Sequence, residues 1–322
     1  MNIRSLLLSF IIYSPFFLGQ DAHWSIPTQN PIEMNPSNIG NFNGEVRIIS
    51  NYKDQWRSVT KPFNTINLNI DKRVSSRFSL GSKIVHDVTG DGKYRTIEFG
   101  IIPSFILYTK ENIKFTAGIS LGLNYKQISP SNFKFDNQFD GYMFQEFLSS
   151  NEKFQTNSQL NFSSGAGIQL NFNQHTLGCA MYNINQPNQG FFGAKIKRPI
   201  RLLLSYEAFL NRNGLIQYSP SIIYQRQDVY SEFITGIKSS YHINNKKLKA
   251  INLGFNIRYK DAIIPYLGFE FNSLNLGIGY DINTSTLNLA SNYRGGTEFY
   301  LNYIFIKPPI KNLEHRKCKD FL

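Results

Sequence analysis

The sequence predicts an all-β protein, a transmembrane antiparallel up-and-down β-barrel of about 14 strands. Three observations predict it: a repeated alternation of apolar and polar residues, segments longer than ordinary strands, and an N-terminal export signal. The composition agrees, because aromatic residues make up 15% of the chain and charged residues 17%, below the roughly 25% of an average soluble domain. A disordered chain lacks this apolar content, and no run after residue 20 has the ~18 apolar residues of a membrane helix.

The first residues have the pattern of a signal peptide, predicted for residues 1–19. Arg4 precedes an apolar run over residues 6–18, and Gly19 supplies a small residue for cleavage. The mature chain is therefore expected to be exported. Its two cysteines, Cys179 and Cys318, are too few for a disulfide framework and are not clustered as zinc ligands are.

The clearest alternation covers residues 113–125. Odd positions carry apolar side chains and even positions carry Lys, Thr, Gly, Ser or Asn, so Leu121 is predicted to face lipid and Ser120 the lumen. Similar alternation predicts strands near 44–52, 63–73, 78–88, 95–108, 113–127, 158–172, 175–183, 199–210, 215–225, 229–241, 248–260, 262–271, 273–283 and 297–306. Tight turns alternate with the longer connections 53–62, 128–157, 184–198 and 284–296. This is the layout of outer-membrane barrels.

A soluble β-sandwich also alternates, with its apolar faces turned into a core. Two features favour the barrel instead. The polar faces are rich in Gly, Ser, Asn and Thr with few charges, and tyrosines lie near segment ends, where an interfacial girdle is expected. These tyrosines are Tyr52, Tyr108, Tyr125, Tyr241, Tyr259, Tyr280 and Tyr303.

The chain is predicted to divide into four parts. Residues 20–43 form an extended segment in the lumen or at the periplasmic rim, because its prolines disfavour a helix. Residues 44–306 form the barrel, and residues 307–322 form a basic periplasmic tail. An even strand count predicts that both termini are periplasmic. The aromatic loop 128–157 is predicted to dock a partner or to plug the lumen.

No catalytic, cofactor-binding or metal-ligating residues are predicted. The histidines have no spacing to a nucleophile and an acid that indicates a catalytic triad, so an enzyme is not expected. The turn Asp87–Gly92 lacks the acidic positions of a calcium loop and is interpreted as a hairpin loop in which glycine permits positive φ. The basic residues behind the net charge of +12 are predicted to lie on loops and turns, where they form a solvated rim or contact lipid phosphates or an acidic partner. Nucleic acid is not expected as a partner, because an exported barrel does not meet it.

Short motifs occur in order along the mature chain. They are Gln20-Asp21-Ala22-His23-Trp24, Asn30-Pro31-Ile32-Glu33-Met34-Asn35-Pro36, Asn51-Tyr52-Lys53-Asp54-Gln55-Trp56, Asp87-Val88-Thr89-Gly90-Asp91-Gly92, Phe135-Asp136-Asn137-Gln138-Phe139-Asp140, Gly279-Tyr280-Asp281-Ile282 with Gly296-Thr297-Glu298, and a tail containing Cys318. Together they resemble the PorP/SprF outer-membrane proteins of the type IX secretion system of Bacteroidota. Ala22 stands where that family usually has Pro, and no Pro follows Cys318.

The resemblance implies a non-enzymatic outer-membrane component of type IX secretion and gliding machinery. Such proteins support export or surface attachment of cargo with C-terminal signal domains. Implied partners are outer-membrane lipid, the translocon, periplasmic ring proteins and secreted cargo. The implied partner-binding residues are His23, Trp24, Asn35, Pro36, Gln55, Trp56, Phe135, Asp136, Gln138 and Asp140. The alternative is a passive outer-membrane channel or hydrophobic-solute transporter, although a charge-selective pore would need rings of lumenal charge.

Overall fold

The computed structural model describes residues 21, 23–57, 61–90, 94–129, 133–141, 143–145, 147–148, 157–191, 195–286 and 288–306. The predicted signal peptide, the basic tail with Cys318, and Ala22, Asp91 and Gly92 of the motifs lie outside the described residues. Among the described residues, no helix is both long enough and apolar enough to cross a membrane.

Fourteen antiparallel strands close into one barrel, in which each strand pairs with its neighbours in sequence and β1 pairs with β14. Their bounds are β1 Val46–Gln55, β2 Phe63–Arg73, β3 Phe78–Thr89, β4 Tyr94–Lys110, β5 Ile113–Gln127, β6 Ser158–Phe172, β7 His175–Tyr182, β8 Arg201–Ala208, β9 Ile216–Gln227, β10 Tyr230–His242, β11 Leu248–Arg258, β12 Ala262–Phe271, β13 Leu274–Asn283 and β14 Arg294–Phe305. Closure leaves no free sheet edge, as a membrane-spanning sheet requires.

The predicted strands and their faces are confirmed. The ranges of β2, β5, β6 and β12 agree with the sequence prediction at both ends, and the other ten differ by a few residues. On β5, Leu121 points outward and is 45% exposed, whereas Ser120 points inward and is 5% exposed. The apolar side chains therefore cover the outside of the barrel, which excludes the β-sandwich.

The two ends of the barrel differ in the length of their connections. One end carries turns as short as Glu111–Asn112 and residues 173–174, together with the start of β1 and the end of β14. The other end carries the long β5–β6 and β7–β8 connections. We call these the short-turn end and the long-loop end.

The buried core lies inside the barrel, because the described residues between 23 and 41 lie in the lumen. Ile26 packs among inward-facing residues of β12 and β14, and Ile32 and Ile39 pack with Ile49 of β1 and Ile102 of β4. These contacts bury the apolar side chains of the N-terminal chain on the otherwise polar inner face of the sheet.

The described residues between 23 and 41 are not extended throughout. They form a 3-10 turn at Pro27–Gln29, an α-helical turn at Pro31–Met34 and a second 3-10 turn at Pro36–Asn38. The prediction that proline prevents helical structure here is therefore wrong. Each turn begins at a proline, because the first position of a helix needs no backbone donor and the φ angle of proline already suits it.

Candidate functional site

The lumen is occupied by the N-terminal part of the chain. We call residue 21 together with residues 23–41 the lumenal segment. Asp21 lies at the long-loop end, where it contacts Asn183 after β7 and Gln227 at the end of β9. Gly40 lies at the short-turn end, where its N–H donates to Asp71 of β2. The segment therefore reaches from one end of the barrel to the other.

The path of the lumenal segment bears on the prediction, drawn from the even strand count, that both termini lie at the same end of the barrel. The count does place Val46 and Phe305 side by side at the short-turn end. It does not extend to Asp21, which the lumenal segment carries to the opposite end. The start of the barrel and the beginning of the described chain therefore lie at different ends.

A cluster of donors fixes Asp21. Arg198 Nε and Nη2 each lie 2.8 Å from Asp21 Oδ1, and the side-chain amides of Asn183 and Gln227 donate to Oδ2 at 3.0 and 3.1 Å. Burial alone would raise the pKa of Asp21, but the positive charge of Arg198 and of two further cations outweighs burial and holds that pKa well below its usual value. Asp21 is therefore an anion at neutral pH.

The next residues bind the two strands that close the barrel. Lys53 Nζ of β1 donates to the His23 carbonyl oxygen at 2.9 Å. The Glu298 carboxylate of β14 accepts the Ser25 N–H at 2.6 Å and the Ile26 N–H at 3.4 Å. Lys53 and Glu298 are direct partners in the β1–β14 register, so this stretch lies across the closing strand pair from inside.

The imidazole of His23 lies in a positively charged environment. Burial lowers the pKa of His23 well below its usual value, and the charges of Lys53, Arg258 and Arg201 lower it further. The ring is therefore neutral at neutral pH. Protonation of the ring would place a positive charge near three cations, and no carboxylate among the described residues raises the pKa of His23.

The middle of the segment forms a buried ion-pair network with the wall. Lys83 Nζ of β3 lies 3.3 Å from Glu33 Oε2 and 2.7 Å from Glu98 Oε1 of β4. The Tyr182 hydroxyl of β7 donates to the Ile32 carbonyl oxygen at 3.4 Å. Lys83 thus forms ion pairs both with Glu33 of the lumenal segment and with Glu98 of the barrel wall.

Beyond the network, the segment packs directly on the sheet backbone. Asn35 Nδ2 donates to the carbonyl oxygens of Ile168 and Cys179 at 2.9 and 3.2 Å. A Cβ atom added to Gly118 of β5 would lie 2.4 Å from the carbonyl carbon of Pro36. Only glycine fits there, because any larger residue would displace the backbone of the segment.

A bidentate ion pair holds the segment at the short-turn end. Arg47 Nε and Nη2 donate to the two carboxylate oxygens of Asp71 at 2.9 Å each. Arg47 also donates to the Asn38 carbonyl oxygen at 3.0 Å, and Asp71 accepts the Gly40 N–H at 2.7 Å. The wall therefore supplies both a donor and an acceptor to the backbone of the segment.

A cavity of about 420 Å³ remains between the segment and strands β3 to β8, and it extends toward the long-loop end. Four aromatic side chains line it, Trp24, Tyr94, Tyr182 and Phe191. The charged side chains in its wall are Asp21, Glu33, Lys83, Asp87, Glu98, Lys126, Arg198 and Arg201. The volume is within the range of small-molecule pockets.

The interior is more highly charged than the alternation pattern predicts. Inward-facing charges occur on most strands, and those with buried side chains include Arg47, Lys53, Asp71, Lys83, Lys126, Arg258, Asp281 and Glu298. The expectation of few lumenal charges is therefore wrong. These charges mainly bind the lumenal segment and one another rather than forming an open ring, because the segment fills the space that a pore would use.

The predicted partner-binding residues fall into three places. His23, Trp24, Asn35 and Pro36 lie in the lumenal segment. Gln55 ends β1 and Trp56 follows it at the long-loop end, where the Trp56 ring lies 4.8 Å from the Phe63 ring. The four remaining residues, Phe135, Asp136, Gln138 and Asp140, lie in the β5–β6 connection.

Within that connection the side chains mostly bind each other. Gln138 accepts the Phe135 N–H and donates to the Leu148 carbonyl oxygen, and Asp140 accepts from Met143 and Gln145. The predicted residues therefore do not form one site, and the assignment of partners to them stays a prediction.

Sequence reasoning missed the wall residues that hold the segment, above all Arg198, Lys83 and Glu298. A usable signal existed for two of them. Lys83 and Glu298 are charged residues on the polar face of an alternating strand, where a charge inside a barrel needs a partner. No local pattern marks Arg198, because its partner Asp21 is 177 residues away in the chain.

A family model of the type IX secretion system membrane protein PorP/SprF matches residues 17–303. The chain belongs to this family. The predicted resemblance is confirmed, and this PorP/SprF protein is an outer-membrane β-barrel of the type IX secretion system. No curated protein matches the chain.

Solved structures similar to this PorP/SprF protein include the toluene transporter TodX of P. putida, at 9% identity and a TM-score of 0.51, covering 85% of this chain and 93% of that one. A FadL homologue from Pseudomonas aeruginosa is 12% identical with a TM-score of 0.48, covering 84% and 93% of the two chains. At these identities the likeness concerns the fold alone. Family membership and fold therefore describe a secretion component built as a closed barrel.

Proposed function

We propose that this PorP/SprF protein is a non-enzymatic binding component that supports export or surface attachment of cargo with C-terminal signal domains. The observation that carries the proposal is the occupied lumen. The lumenal segment contacts strands on all sides of the barrel through ion pairs, backbone hydrogen bonds and direct packing. A barrel filled by its own chain is a rigid platform for partners, and its function is binding.

In the proposed orientation, the short-turn end faces the periplasm and the long-loop end faces the cell exterior. Outer-membrane barrels place short turns inside and long loops outside. The signal peptide 1–19 is removed, and the tail 307–322 faces the translocon and the periplasmic ring proteins. The long loops, which carry Phe135 and Asp140, face the cargo.

Membrane-impermeant thiol labelling of intact cells tests this orientation. In a background with Cys179→Ala and Cys318→Ala, Asn137→Cys should be modified, because residue 137 lies exposed in the β5–β6 connection. Asn112→Cys and Asn213→Cys lie in the short turns and should be modified only after lysis. Labelling at residue 112 on intact cells reverses the orientation.

Deletion of residues 22–37 tests the function of the segment. The deletion spares Asn38 and Gly40, whose backbone is held by Arg47 and Asp71, so the barrel is expected to insert at normal abundance. Cargo attachment at the cell surface should be lost, and single-channel conductance in planar bilayers should rise because the lumen empties. Substitution of Asn245 in the β10–β11 turn provides a control that should change neither quantity.

The possible outcomes distinguish the function of the lumenal segment from the function of the whole protein. Normal cargo attachment with reduced barrel abundance would make the segment a structural plug only. Normal attachment in cells that lack the entire protein would refute the proposed function itself. A high conductance of the intact protein would instead favour the passive channel or hydrophobic-solute transporter.

A further inference from the structure

The wall of the cavity at the long-loop end combines aromatic and basic side chains, and some donor atoms of the basic side chains have no hydrogen-bond partner among the described residues. The wall includes three aromatic side chains, Trp24, Tyr94 and Phe191, and three basic ones, Lys126, Arg198 and Arg201. The Lys126 ammonium lies 5.7 Å from the centre of the Tyr94 ring. Lys126 and Arg198 are 6% and 7% exposed. Buried cations need anionic or hydrogen-bonding partners.

The acidic side chains of the wall already have partners. Lys83 lies between Glu33 and Glu98. Asp87 accepts the hydroxyls of Thr65 and Thr89. These three carboxylates are therefore already engaged, and Glu98 also lies 3.7 Å from Arg198 Nη2.

Asp21 is the acidic residue nearest to the cations, and it does not saturate them. It lies within the electrostatic reach of Arg198, Arg201 and Lys126. Among the described residues, Arg198 Nη1 and Arg201 Nε are buried without a hydrogen-bond partner. The Lys126 ammonium donates to the Gln189 side-chain oxygen at 3.1 Å, an uncharged acceptor. Arg198 thus lies between two carboxylates, those of Asp21 and Glu98, but one donor atom of Arg198 and one of Arg201 still lack an acceptor among the described residues.

We propose that this cavity binds a carboxylate attached to an aromatic or other apolar group. The carboxylate accepts hydrogen bonds from Arg198 Nη1, Arg201 and Lys126, since guanidinium and ammonium groups bind carboxylates strongly once water is excluded. The apolar group lies against Trp24 and Phe191, whose rings provide flat apolar surface. The carboxylate belongs either to a small organic acid or to the carboxyl terminus of a polypeptide.

The protein contains its own reporter for this site. It has two tryptophans, of which Trp24 lines the cavity and Trp56 follows β1 at the long-loop end, next to Phe63. In a Trp56→Phe variant, the fluorescence of Trp24 alone reports on the cavity. Titration of this purified, folded barrel with phenylacetate should give a saturable change, and titration with phenylacetamide should give none.

Substitutions on the cavity wall identify the binding groups. Lys126→Gln and Arg201→Gln should each weaken phenylacetate binding about tenfold or more, the effect of losing one charge-assisted hydrogen bond. Lys114→Gln is the matched control, because Lys114 lies on the same strand as Lys126 but donates to Asn41 at the short-turn end. It should leave the affinity unchanged.

Peptides distinguish the two sources of the carboxylate. Tighter binding of a Phe-terminated tetrapeptide with a free carboxyl group than of phenylacetate indicates a polypeptide terminus, and the C-amidated peptide should not bind. Binding of phenylacetate without the tetrapeptide indicates a small acid. Equal responses to acid and amide, or equal affinities in the Lys126→Gln and Lys114→Gln variants, would overturn the proposal.

Discussion

The two ends of the lumenal segment are held by different interactions. At the short-turn end, residues 35–40 pack on glycine and on strand carbonyl groups so closely that no additional atom fits. At the long-loop end, Asp21 and residues 23–26 are held by charges beside a cavity of about 420 Å³. This close packing fixes the position of residues 35–40 in the lumen. Asp21 and residues 23–26 are held mainly by charges, so we expect their position to depend on pH and on charged ligands.

The largest effect is expected from an arginine introduced on the lipid side of β5. Leu121→Arg places a charge near the bilayer midplane and should cost about 2–4 kcal/mol of unfolding free energy. Ser120→Arg should cost much less, because Ser120 lines the cavity. Urea unfolding in lipid vesicles measures both. Equal losses would mean that the cavity has no room for the added side chain.

The close-packed stretch should resist even one added methyl group. Gly118→Ala puts a Cβ 2.4 Å from the Pro36 carbonyl carbon, and such overpacking costs about 1–3 kcal/mol. In Gly122→Ala, on the same face of β5, the nearest atom is Ser163 Oγ at 2.9 Å, which can rotate away. The unfolding free energy of the Gly122 variant should change less. If both variants behave alike, the packing at Pro36 is looser than the distances indicate.

Removal of the charge on Asp21 should loosen the stretch at the long-loop end while the barrel stays folded. Asp21→Asn leaves Arg198 without its principal counter-ion, so Trp24 fluorescence should shift to longer wavelength in the Trp56→Phe background. Asn41→Ala, which removes a partner of Lys114 at the other end, should not shift it. A shift of equal size in the two variants would remove the distinction between the ends.

The contribution of Asp21 to the free energy of unfolding also depends on pH in a defined range. Because the pKa of Asp21 is lowered in the folded state, the stabilisation is complete above the ordinary value of 3.8. It is lost as the pH falls from there through the lower folded value. The Trp24 signal of the Trp56→Phe protein should therefore show no Asp21 step between pH 8 and pH 5.

The smallest effect is expected from His23. Burial lowers its pKa below the ordinary 6.5, so the unfolded chain binds a proton before the folded chain does. Stability should therefore decrease as the pH falls below about 6.5. Urea midpoints measured at pH 7.5 and pH 5 should differ more for the parent protein than for His23→Gln. An identical difference in both would show that His23 does not titrate on unfolding.

The barrel could be predicted from the sequence because each strand carries its own signal. Alternation across residues 113–127 specifies both the strand and its two faces without reference to the rest of the chain. The family motifs likewise lie within short stretches. Both predictions rest on local sequence, and both are confirmed.

The interior could not be predicted in the same way. The contacts of Asp21 with Arg198 and of Asn35 with Cys179 join residues 177 and 144 positions apart, and nothing in either stretch identifies the other. Proline content was also a poor guide to the lumenal segment. Proline disfavours the interior of a helix, but Pro27 and Pro31 each occupy the first position of a helical turn, which suits proline.

The pairing of Lys53 with Glu298 has a consequence for how the barrel assembles. β1 and β14 are the first and last strands, so their pairing closes the longest loop in the chain and carries the largest entropic cost of any strand pair. The backbone from His23 to Ile26 binds both strands at that register. In the closed barrel the lumenal segment thus bridges the first and last strands from inside, at the strand pair that joins the two most distant parts of the sheet in sequence.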